Sequence, residues 1–186
     1  MKAIILVSFF GILGCTFCKH VRTGPEGCRD VYDQADPKYK RRDFYTGSWY
    51  LTHAKYRNHS TLCTKFDMTF NPLQIKYDAN MVKFTCKGKK IKDARHIEFK
   101  CKGVGGEKTD YPDYESIVSV IRTDYTGFAT VYTCKKTGGH EDNVFVLSRT
   151  QDGKTPKAAK NSLKKLGEKF EKFVKVPCIQ LQVIKV

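Results

Sequence analysis

The chain has 186 residues, 40% of them hydrophobic, and a formal net charge of +15. That is enough apolar material for one domain with a real core, and too much for a disordered basic tail. After the N-terminal residues no run is long and apolar enough for a membrane-spanning helix.

The first element is MKAIILVSFFGILGCTFC (residues 1–18), with Lys2, an apolar run from Ala3 to Leu13, and small residues after it. This order predicts a secretory signal peptide cleaved near Cys18, leaving one domain over residues 19–186. Of the eight cysteines, Cys28, Cys63, Cys86, Cys101, Cys134 and Cys178 stay in that domain. An even set in a secreted chain predicts three disulfides, for which six cysteines allow fifteen connectivities. Zinc is a poor alternative, because these six cysteines and the histidines of that domain show no CxxC or HxxxH spacing. Asn58-His59-Ser60 is an N-glycosylation sequon, suited to a surface loop.

Eight runs of strand length follow, at residues 48–56, 63–70, 73–79, 81–87, 96–102, 115–123, 127–134 and 143–150. They are rich in β-branched and aromatic residues and are separated by turn formers such as Asn71-Pro72, Gly105-Gly106 and Gly138-Gly139. Short strands joined by short turns predict an up-and-down antiparallel sheet, closed as a barrel or paired as a sandwich. One register follows by counting. A two-residue turn at Asp93-Ala94 sets Lys92 against Arg95, Lys89 against Glu98 and Cys86 against Cys101, a pairing that suits a cross-strand disulfide.

The pattern then changes period. In TPKAAKNSLKKLGEKFEKFVKV (155–176) Leu163, Leu166, Phe170, Phe173 and Val174 recur at helical spacing, with Pro156 at the start. An amphipathic helix over about 156–175 is predicted, packed outside the sheet. Lys157, Lys160, Lys164, Lys165, Lys169, Lys172 and Lys175 fall mostly off its apolar stripe.

Gly47-Ser48-Trp49 at the first strand, Thr123-Asp124-Tyr125 between strands six and seven, and Arg149 after strand eight resemble the lipocalins. DFYTGSWYLTH, the Cys63-Thr64-Lys65-Phe66 run, VKFTC, EFKC and VFVLSRT are similar to the salivary lipocalins of triatomine bugs, the triabin and pallidipin group. The resemblance spans roughly residues 25–178. It implies an all-β fold, an eight-stranded up-and-down barrel over about 45–150 with the helix outside. It further implies that Trp49 plugs the closed base with Arg149 across its ring, and that the remaining bridges are Cys28–Cys134 and Cys63–Cys178. Haem-carrying relatives place a histidine where Lys76 precedes Tyr77-Asp78 here, so no haem or other cofactor is expected.

A barrel lumen is the natural binding site. Counting from an inward Trp49, the alternation brings Leu51, His53 and Lys55 inward, roughly 7, 13 and 20 Å above the plug. Tyr77, Phe84, Ile117, Arg122 and Tyr132 are further candidates for the lining, their facing taken from alternation alone. On this reading the gradient from apolar floor to cation suits an amphipathic acid, although Leu51 and His53 could equally be barrel filling. No GxSxG, HExxH or P-loop motif is present, and bridged cysteines leave no thiol nucleophile, so an enzyme is not expected.

The expected activity is stoichiometric trapping of a small anionic mediator, an eicosanoid of the thromboxane type being favoured, which would impair haemostasis by inhibiting platelet aggregation. The alternative is a surface-acting anticoagulant whose lysines bind anionic surfaces or coagulation proteins, against the plainer view that those lysines keep the chain soluble. A secreted monomer is expected, with nucleic acid not among its partners.

Overall fold

The computed structural model describes residues 27–56, 64–79, 82–89, 95–105, 112–136 and 141–176. Eight antiparallel strands run β1 (Gly47–Ala54), β2 (Lys65–Phe70), β3 (Leu73–Ala79), β4 (Val82–Gly88), β5 (Ile97–Val104), β6 (Tyr114–Thr123), β7 (Phe128–Lys135) and β8 (Glu141–Ser148). Each pairs with the next, β8 pairs with β1, and β1 with β2 closes the sheet into an up-and-down barrel. A ninth strand of two residues, β9 (Val174–Lys175), lies against the far half of β1. The one-turn helix α1 (Arg41–Phe44) precedes the barrel, and α2 (Lys157–Lys165) packs outside it on β6 and β7.

The closed base is built on the sequence around Trp49. Gly47 has φ +80°, a backbone shape that glycine adopts without steric cost. Trp49 is fully buried, donates its indole N–H to the Phe44 carbonyl at 2.9 Å, and packs beside the Phe44 ring. The Arg149 guanidinium lies 3.7 Å from the Trp49 ring centroid. It also donates to the carbonyls of Asp43, Thr46, Ser48 and Tyr125. One cation thus ties the first helix, the first strand and the turn between β6 and β7 to the plug.

Two cores share the barrel wall. The inner one gathers Trp49, Leu51, Ile75, Phe99, Val120, Val131 and Leu147. The outer one gathers Val31, Ile117, Ile121, Tyr132, Val146, Ala159 and Leu163 between the wall, α2 and the N-terminal segment. Cys28–Cys134 staples that segment to β7, and Cys86–Cys101 joins opposed residues of β4 and β5. Lys89 and Glu98 stand opposite each other as the counting predicts, 3.2 Å apart as an ion pair. Cys63, Cys178 and the Asn58 sequon lie outside the described residues.

The predicted helix over 156–175 is corrected. It ends at Lys165, because Gly167 takes φ +73° and closes a left-handed C-terminal cap. Glu168 N–H reaches back to the Leu163 carbonyl and Gly167 N–H to that of Lys164. Phe170 and Lys172 belong instead to a single 3-10 turn, and Val174 and Lys175 to β9.

Candidate functional site

The lumen keeps a cavity of about 330 Å³ above the plug. Its lower wall is Met68, Ile75, Phe99 and Leu147 from the inner face of their strands, with Phe44 from α1. Higher up, four rings form a connected aromatic wall. Tyr77 stacks on Phe84 with centroids 4.9 Å apart, Phe84 meets the edge of Tyr114 at 5.9 Å, and Phe66 meets Tyr77 at 5.5 Å. Gly103 makes room for this wall, because a Cβ there would come within 2.9 Å of the Phe84 ring.

The Tyr77 and Tyr114 hydroxyls hydrogen-bond to each other inside the barrel. Burial raises the pKa of both phenols above its ordinary value, and for Tyr77 the neighbouring Tyr114 adds to the rise. Both stay protonated at neutral pH. Only one hydrogen bond joins the two hydroxyls, and the Tyr114 oxygen also lies 3.8 Å from the disulfide sulfur of Cys86, which can only accept. At the open end the lining turns polar, with Thr133, Lys135, Glu141 and Asn143 from β7 and β8.

Of the residues expected in the lumen, Tyr77 and Phe84 line this cavity, and Leu51 is buried in the inner core below it. His53 and Lys55 do not face inward. The β1–β8 register slips between Leu51 and His53, a β-bulge that passes the inward position from Leu51 to Ala54. His53 therefore packs outside against Phe170, with ring centroids 4.8 Å apart, and near Thr155. Lys55 reaches Glu168 at 2.8 Å, also outside the barrel.

Ile117 and Tyr132 likewise point outward into the second core, where the Tyr132 hydroxyl accepts the Arg29 N–H at 2.8 Å. Arg122 is exposed, following a second bulge between Val120 and Arg122. Ile117 and Tyr132 share one cause: β6 and β7 are buried on both faces, so hydrophobicity carries no phase there. Lys76 is exposed on the outer face of β3, pointing away from the lumen that Ile75 and Tyr77 line.

Residues that the strand patterns alone did not reveal include Phe66, Tyr114, Phe145, Lys135, Glu141 and Asn143. Two signals for them were present. Cys86 faces Cys101, which faces Tyr114, so one inward cysteine fixes all three as inward. Cys134 bridges outward to Cys28, which turns Thr133 and Lys135 inward.

The seven C-terminal lysines are all exposed, but they are shared among α2, the 3-10 turn, the connecting residues and β9 rather than aligned on one helix. Glu168 sits among them as a nearly buried carboxylate. It pairs with Arg29 at 2.7 Å and Lys55 at 2.8 Å, and so joins the N-terminal segment, β1 and the C-terminal segment. Among the described residues no group of three or more His, Cys, Asp or Glu is placed to hold a metal ion.

A family model described as Triabin matches residues 19–162. Triabin from Meccus pallidipennis is 31% identical over 170 residues, covering 85% of this chain and 98% of that protein. Among solved structures, an LTBP1 variant in complex with leukotriene C4 aligns with TM-score 0.72 at 24% identity, over 85% of this chain and 100% of that one. The tryptamine complex of the amine-binding protein of Rhodnius prolixus aligns with TM-score 0.64 at 21% identity, over 76% of this chain and 82% of its own.

Proposed function

The chain belongs to the triabin family, whose lipocalin-fold members are binding proteins and not enzymes, and from that premise we propose that it is a secreted trap for a small amphipathic acid. The favoured ligand is an eicosanoid of the thromboxane type, and the proposed consequence is inhibition of platelet aggregation. The observation that carries this reading is the lumen itself: an aromatic cavity of about 330 Å³ with two phenolic hydroxyls on its wall and Lys135 at its mouth. That is the size and chemistry for one apolar tail with an acidic head. The likeness to a structure that holds leukotriene C4, also a lipid acid, supports the same reading. The cation at the mouth is Lys135 on β7 in place of Lys55.

Calorimetric titration of the mature protein with a stable thromboxane mimic tests this, with ADP and serotonin alongside. Near-stoichiometric binding of the mimic alone is expected, and Val131→Trp, which fills the lumen, should abolish it. No heat from the mimic, or heat that survives Val131→Trp unchanged, rejects the reading.

A second reading rests on the exposure of all seven C-terminal lysines. It makes the chain a surface-acting anticoagulant that covers anionic surfaces or coagulation proteins. Charge reversal at Lys164, Lys165 and Lys172 should remove that activity and leave lumen binding intact.

A further inference from the structure

The outer face of β3 to β5 gathers lysines around one threonine. Cys86 and Cys101 point into the barrel, so Thr85, Lys87, Lys100 and Lys102 point out of it. The register sets Thr85 between Lys76 on β3 and Lys102 on β5. Lys83 and Lys87 flank it two residues away on β4, and Lys100 stands opposite Lys87. Five exposed lysines thus surround Thr85, and Asp78, opposite Lys83, is the one carboxylate among them. At ordinary strand spacings the group covers roughly 10 Å across the strands and roughly 13 Å along them.

The fold gains nothing from this pattern. Lys87 and Lys100 are directly opposed, and like charges in opposed positions repel. Lys100 and Lys102 each reach an acid at the β6 edge, Glu115 at 3.2 Å and Asp113 at 3.3 Å. These are exposed pairs, weak enough to exchange for another anion. Among the described residues Lys76, Lys83 and Lys87 make no ion pair at all. Neither outer element screens them, because α2 packs on β6 and β7 and β9 pairs with β1.

The complement of such a surface is a partner with several anionic groups spaced along it. The outside of a closed barrel is convex, so a planar lipid surface would meet it only along a crest, whereas a flexible chain can follow it across three strands. The face is also not purely cationic. Thr85 offers a hydroxyl at its centre, and the exposed Val104, opposite Lys83, offers an apolar contact at its corner. A sugar ring uses both, and a bare phosphate chain uses neither. We propose that the β3–β5 face binds a sulfated glycan chain, with its sulfates on the five lysines and a sugar ring over Thr85 and Val104. This surface is separate from the lumen and from the C-terminal lysines, and it needs neither reading above to hold.

Titration of the mature protein with a heparin-derived oligosaccharide at several salt concentrations tests this. The same oligosaccharide without its sulfates, inorganic polyphosphate and phosphatidylserine vesicles are run alongside. The parent should bind the sulfated oligosaccharide at physiological salt and more tightly than any of the other three. Replacing the unpaired charges together, Lys76→Ser, Lys83→Ser and Lys87→Ser, should weaken it about tenfold, the scale of three exposed charge contacts. The slope of log affinity against log salt should fall by about 2, at about 0.7 per lost contact on a flexible polyanion. The urea midpoint of this variant should be equal or higher, because the repulsion between Lys87 and Lys100 is gone. Lys38→Ser, Lys40→Ser and Lys154→Ser remove the same charge elsewhere and should leave affinity and slope unchanged. Equal losses in the two triple variants would reduce the binding to net charge and overturn the proposal. So would tighter binding of polyphosphate or vesicles, no binding by the parent, or a loss that follows Lys164, Lys165 and Lys172 instead.

Discussion

The two halves of the barrel wall are buried in different ways. β2 to β5 bury one face and leave the other to solvent, so exposed and buried residues alternate along them. β6 to β8 are buried on both faces, the inner one by the lumen and the outer one by α2 and the N-terminal segment. The first half carries the aromatic wall of the lumen on its one buried face. The second is the slab on which the fold depends. Stability and binding should therefore respond to different residues, although both sets stand on one continuous sheet.

The largest effect expected is in the outer core. Leu163 of α2 is fully buried against β6 and β7. Leu163→Ala should cost about 3 kcal/mol, the usual price of a buried leucine truncation, and leave ligand affinity in the lumen nearly unchanged. Phe84→Ala on the one-sided half is the counterpart. Phe84 is only half-buried and already borders a cavity, so its loss should cost less stability than that of Leu163 while changing affinity sharply. Urea denaturation and calorimetry on the two variants give the comparison. Equal stability losses, or an affinity change in Leu163→Ala, would break it.

The same division explains what could be read from the sequence. On β3 and β4 alternation is visible, and Tyr77 and Phe84 line the lumen as that alternation implies. The Cys86–Cys101 pairing followed from counting, because a hairpin register is a local property of turn length. Ile117 and Tyr132 face outward, against the expectation from alternation, because both faces of their strands are apolar and only the outward Cys134 bridge carries the phase. His53 and Lys55 were displaced by a single extra residue. A β-bulge leaves no mark in a hydrophobic pattern, and one shifted position sends every later side chain to the other face. The helix is shorter than its apolar period implies, because that period continues past Gly167, where the cap decides the end.

A smaller effect is expected where the slab is tied to its covering. Glu168 joins Arg29 and Lys55, all three mostly shielded from water. Burial alone would raise the pKa of its carboxyl, but hydrogen bonds from Lys55 and Arg29 outweigh it and hold it below the ordinary value of 4.5. A depressed carboxyl contributes stability that is present above its unfolded pKa and lost as pH falls through the folded one. Glu168→Gln strands two cations and should cost about 2 kcal/mol at neutral pH. It should also remove the part of the acid transition below pH 4.5 that belongs to this group. A variant as stable as the parent at neutral pH would show that the clasp contributes nothing.

The smallest effect sits next to that clasp and has its own pH window. His53 faces Lys160 from α2, Lys175 from β9, the Phe170 ring and the Thr155 hydroxyl. Burial, then the charges of Lys175 and Lys160, lower its pKa below 6.5. The unfolded chain therefore takes up a proton at a pH where the folded chain still refuses it. The stabilisation is complete above 6.5 and is lost as pH falls toward the folded value, a window that lies above that of Glu168. The loss should stay below about 1 kcal/mol, because His53 is only half-buried and water screens both lysines. His53→Gln retains a hydrogen-bonding group near Thr155 and removes the titration. Its urea midpoint should be flat between pH 7 and about 5.5, where that of the parent declines. Parallel curves would place both lysines too far from His53 to act on it, and the packing of Phe170 would then be the residue's whole role.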